Sequence, residues 1–173
     1  MIVPLLFQAA VAAATPAPAP AAQAWKLAER TNAAGVRSVS ASVIGRDGLS
    51  RLLVKCDVGS EPIVSVQFIQ PTALGESAAK AVAMRFDGGP AFNYLWQFPG
   101  TATYIADPEA VTKLTSFLVK AKQVGVETTN ASNFAVEATF AAPGNDAMIR
   151  QVLGVCGYTL GVVPTPPPAK DPK

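Results

Sequence analysis

Two cysteines, Cys56 in "RLLVKCDVG" and Cys156 in "DAMIRQVLGVC", are the residues of this sequence with the widest chemical reach. A cysteine can act as a nucleophile, a metal ligand or half of a disulfide. The 173-residue chain has no histidine. It therefore lacks the commonest metal ligand, the usual general base near neutral pH, and every Ser-His or Cys-His arrangement. Neither cysteine has a neighbouring cysteine to begin a metal site. The one cation beside Cys56, Lys55, is turned away by strand alternation and cannot stabilise a thiolate there.

The elements that must position these sulfurs are legible from periodicity. In "RLLVKCDV" the residues Leu52, Val54, Cys56 and Val58 share one face, so Cys56 faces a core. In the helical pattern that begins at the cap Asn145, Ile149, Val152, Leu153 and Cys156 fall at i, i+3, i+4 and i+7. Cys156 is thus on a buried helix face, and the two sulfurs can meet. A disulfide is the default for such a pair in an exported protein, and two separate buried thiols are the alternative.

Export is itself an expectation from the N-terminal sequence. Residues 1–24 read as a signal peptide, with an apolar run "MIVPLLFQAAVAAA" too short to cross a bilayer. Cleavage after residue 24 fits an A-x-A pattern, as does cleavage after 14. The basic residue that usually precedes the apolar run is missing, and an uncleaved Ala/Pro tail is the competing reading. An exported location follows, with no stable membrane span after cleavage.

Residues 25–160 read as a single α+β domain, and 161–173 as a disordered Pro-rich tail. The expected architecture is an antiparallel sheet of about six strands with two helices, the C-terminal helix tied to the sheet by the disulfide. The strands are read in "SVSASV", "RLLVKCDV", "PIVSVQFIQ", "KAVAMRFDGG", "AFNYLWQF" and "NFAVEATFAAPG". Phe134, Val136, Ala138 and Phe140 of the last one are expected on its inner face. "ADPEAVTKLTSFLVKAKQ" is the first helix, with Asp107 as N-cap, Pro108 at the first position, and a stripe through Val111, Leu114, Leu118 and Ala121. Phe92, Tyr94, Trp96 and Phe98 fall on one side of their strand, either as a binding platform or, more in keeping with burial, as a sheet face under a helix.

This order of elements resembles the VasI-like proteins, small periplasmic accessories associated with type VI secretion. The resemblance spans residues 36–158 and lies in "LLVKC", "MRFD", the strand containing Trp96, "NFAVEATF" and "VCGY". It implies a periplasmic or secreted location in a Gram-negative bacterium, that Cys56 and Cys156 are the family's recurring pair, and that Arg85 and Asp87 match its Arg-x-Asp. Tyr158 stands where the family carries Trp.

Fourteen Lys and Arg against twelve Asp and Glu leave a net charge of +2 without a basic run, so nucleic acid is not an expected partner. No catalytic residue, cofactor or metal site is expected. Arg85, Asp87 and Phe92 form the candidate interaction surface, the first two against the alternative of a solvated pair beside a turn. The expected function is a non-enzymatic accessory domain that docks on an envelope protein or peptidoglycan. The alternative is a periplasmic inhibitor or small-ligand binder, for example against a cell-wall hydrolase, inserting the loop "DGGPAF". A carboxylate-based hydrolase would need two acids roughly 5–10 Å apart across a cleft, and no such pair is visible.

Overall fold

The structure, a computed structural model, describes residues 24–33 and 35–165. The expected signal peptide, apart from Ala24, and residues 166–173 of the expected tail lie outside the described residues. In chain order the elements are β1 (Lys26–Thr31), β2 (Arg37–Ile44), β3 (Arg51–Val58), β4 (Ile63–Ile69), β5 (Gly75–Phe86), β6 (Phe92–Gly100), β7 (Ala102–Ile105), α1 (Pro108–Leu118), β8 (Gln123–Thr129), β9 (Ala135–Ala141) and α2 (Ala147–Val155).

The strands form one sheet in the order β1-β2-β3-β4-β7-β6-β5-β8-β9. Every strand pairing among the described residues is antiparallel. The sheet has nine strands, where the sequence pattern gave about six. Strand β1, "KLAERT", is exposed along most of its length and so shows no apolar alternation. Strand β7 has only four residues. In β8 the inward row is Val124, Val126 and Thr128, and Gly125 pairs with Arg85 within the sheet. The first helix accordingly ends at Leu118, with Lys120 and Ala121 both donating to the Phe117 carbonyl.

The sheet is curled. Phe68 on β4 and Phe140 on β9 stand five steps apart in strand order, which in a flat sheet would separate them by about 24 Å. Their ring centroids are 6.0 Å apart, edge to face. The ends are joined by hydrogen bonds from Arg46 N to Thr139 O (2.9 Å) and from Trp25 Nε1 to Ala141 O (2.8 Å). Inside the curve lie Val39, Val54, Val66, Met84, Trp96 and Val126, packed in one core with the inward faces of both helices. The stripe Val111, Leu114, Leu118 and Ala121 is buried as expected, as are Ile149, Val152, Leu153 and Cys156.

Two local expectations are corrected. Phe134 is 70% exposed. It ends a turn in which Asn133 has φ 63° and Asn130 Oδ1 accepts from Ser132 N and Phe134 N, so β9 begins at Ala135. The N-cap of α2 is Asp146, which makes no side-chain cap bond; Asn145 Oδ1 instead accepts from Ala147 N at 3.1 Å. Residues Thr159 to Val162 close a further turn over α1, with Leu160 against the core and Thr112 Oγ1 donating to Val162 O.

Candidate functional site

Cys56 and Cys156 are bonded, with Cα atoms 5.8 Å apart and 100 residues between them in sequence. Cys56 sits between Val39 and Val64 on the inner face of the sheet, and its relative exposure is 0%. Cys156 caps the end of α2 at 8%. A bond buried this way ties α2 to β3, the third strand from one edge, and leaves neither sulfur available as a nucleophile or ligand.

Arg85, Asp87 and Phe92 do not converge. Arg85 leaves the outer face and pairs with Glu127 (Nε to Oε1, 2.9 Å), both side chains 42% exposed. Asp87 has φ 52°, a conformation a short acidic side chain tolerates when it bonds to backbone. Its Oδ1 accepts from Lys122 N and Gln123 N, both at 2.9 Å, stitching the β5 end to the β8 start. The two charges therefore neither pair with each other nor converge on a shared ligand position. The loop 87–92 is braced by these bonds and by Gly89 N donating to Phe86 O. Phe92 turns to the opposite side. It packs on Phe117 of α1 (4.6 Å) and edge-on to Phe86 (5.6 Å), with Lys113 Nζ 5.4 Å above its ring.

The turn joining β2 to β3 is knit by Asp47. Its carboxylate accepts from Leu49 N, Ser50 N and Ser50 Oγ, and Gln70 Nε2 donates to Ser50 Oγ beneath it. Burial pushes the Asp47 carboxyl upward, but the hydrogen bonds from Ser50 and Leu49 outweigh it and its pKa is lowered. Two tyrosines move the other way. Tyr94 is raised by burial and then by the charges of Glu109 and Asp107, and Tyr158 by burial and then by Asp107. The N-terminus of α1 is thus an electrostatic neighbour of both β6 and the segment after α2.

The outer face of the sheet divides in two. On the β5, β6, β8 and β9 side a shallow depression is lined by Lys80, Ala81, Ala83, Asn93, Glu127, Thr129 and Glu137. On the β1 to β4 side a groove of about 250 Å³ is lined by Arg30, Ser38, Ser40, Ser42, Arg51, Leu53, Lys55 and Gln67, without one carboxylate. A cleft of about 450 Å³ between α1, α2 and the last turn contains Arg150 and Asp146, which pair with each other at 2.5 Å. Among the described residues no three acidic or cysteine side chains gather to hold a metal.

Set beside known proteins, the chain matches no family model, no curated protein and no solved structure. The class its own geometry defines is a curled antiparallel sheet enclosing two helices, one of them covalently fastened. The inward halves of "SVSASV" and "RLLVKCDV" do not disclose the serine and cation groove. The signal was the outward half, because adjacent strands place Ser38, Ser40 and Ser42 beside Arg51 and Lys55.

Proposed function

We propose that this chain is an exported, non-enzymatic interaction module of the bacterial cell envelope, docking on an envelope protein assembly or on peptidoglycan. The observation that carries the reading is the buried Cys56–Cys156 bond. Disulfides of this kind persist in oxidising compartments and are rare where thioredoxin and glutathione keep thiols reduced. The N-terminal apolar run supplies an export route, and the VasI-like resemblance supplies an association with type VI secretion. An outer sheet face rich in hydroxyls and uncommitted cations gives such a module a surface to present.

The test is the intact mass of protein produced in a Gram-negative host, with free thiols blocked before reduction. Loss of residues 1–24 or 1–14 with no blocked thiol supports export and the bond together. A full-length mass with two blocked thiols removes the compartment. Crosslinking in the envelope then distinguishes a specific partner from abundant bystanders, and recovery of bystanders alone counts against docking.

A further inference from the structure

We propose that the outer face of β1 to β4 binds an acidic polysaccharide, laid along the strands. The chain has six arginines. Four have a side-chain partner: Arg37 on Glu29, Arg46 on Gln123, Arg85 on Glu127 and Arg150 on Asp146. Arg30 and Arg51 have none among the described residues, and both line this groove. Guanidinium groups left without an acid on a surface where the other arginines have found partners are a specific arrangement, suited to bidentate contact with carboxylate or phosphate.

The register sets the shape of the ligand. Arg30 faces Ser38, which faces Asp57, and Arg51 lies six residues back along the same strand. The two guanidinium-bearing positions are therefore displaced by about 20 Å along the strands and about 10 Å across them. No single small anion reaches both, whereas a chain carrying repeated charges does. Between them lie Ser38, Ser40 and Ser42 with Lys55 and Gln67, a floor of hydroxyl, ammonium and amide groups. Lys55 is already bridged to Asp57 at 2.8 Å, at the rim, which leaves the two arginines as the anchors. Hydroxyl and amide groups match a hydroxyl-bearing polymer. The floor offers no aromatic ring on which bases could stack, and Leu53, its one large apolar residue apart from the bordering Ile69, is only 7% exposed and has little surface to insert into lipid.

This inference rests on the envelope reading for where such a polymer is met, but it is tested on purified, oxidised protein. Titration with polygalacturonate is expected to show binding that weakens with salt, while neutral dextran shows none. The double variant R30Q/R51Q is expected to lower polygalacturonate affinity about tenfold or more, with unchanged circular dichroism. Glu137→Gln, on the other half of the sheet, is expected to leave it unchanged. No binding of polygalacturonate by the wild type, or equal binding by the double variant, overturns the proposal. Tighter binding to phosphatidylglycerol vesicles or to duplex DNA than to polygalacturonate overturns the ligand class. Binding by a protein that the mass experiment finds unexported would remove the compartment and leave the groove standing. No binding by a protein found exported and oxidised would remove the groove alone.

Discussion

The two helices reach the same core by different means. Helix α1 carries strong local signals: Asp107 Oδ1 accepts from Ala110 N at 2.8 Å, Pro108 opens the first turn, and Glu109 complements the dipole. Its Phe117 then stacks on Phe86 at 5.6 Å. Helix α2 has nine residues, no side-chain cap bond, no acidic residue in its first turn, and Gly154 near its end. Helices that short are marginal alone, and a glycine costs roughly 0.5–1 kcal/mol against alanine. The staple sits on the helix that local sequence specifies least. What capping supplies to α1 as a local free energy, Cys156 supplies to α2 by restricting the unfolded chain.

Breaking the staple gives the largest expected effect. The C56A/C156A variant is expected to lose about 4–5 kcal/mol at most, since the loop closed is 100 residues long. Hydrogen exchange should show α2 opening well before α1, and equal protection in both helices would dissolve the contrast. Leu114→Ala, at a site 1% exposed, is expected to cost about 3 kcal/mol by emptying space under α1, measured as a lower urea midpoint at unchanged slope.

Asp107→Ala is expected to cost about 1 kcal/mol through loss of the α1 cap. Asp107→Asn keeps a capping oxygen but removes the charge, and so isolates the electrostatics. Tyr94 and Tyr158 have folded pKa values raised above the unfolded value near 10. Their neutral forms are favoured on folding, so this stability is intact below pH 10 and declines as pH rises through the folded values. In Asp107→Asn the phenolate absorbance of both tyrosines should appear at lower pH, and an unmoved titration would leave burial as the whole cause at Tyr158 and burial with Glu109 as the cause at Tyr94. The smallest effect has the opposite sign. Gly154→Ala meets nothing within 4 Å of the added carbon and should stabilise by about 0.5–1 kcal/mol, visible most clearly when the disulfide is absent.

The parts of the fold written in short-range periodicity could be read directly. Val39, Ala41 and Val43, then Leu52, Val54 and Cys56, and the Val111 to Ala121 stripe all lie inside as their spacing requires. What escaped depended on distant partners. Strand β1 is a strand because β2 offers it an edge, and β7 because it closes the gap between β4 and β6. Asp87 reads as an outward strand charge, yet its role is set by the backbone of Lys122 and Gln123, distant in sequence. The paired arginines could not be told from Arg30 and Arg51 before the register was known.

Trp25 directly precedes β1, and its indole N–H bonds to the Ala141 carbonyl 116 residues away. The curve of the sheet therefore stays open until β9 has emerged from the ribosome. Pairings of β4 with β7 and β5 with β8 add further long closures, and topologies dominated by such closures fold in milliseconds to seconds rather than microseconds. A nascent chain of this protein remains unclosed through most of its synthesis, a kinetic property written by the side chain that precedes its first strand.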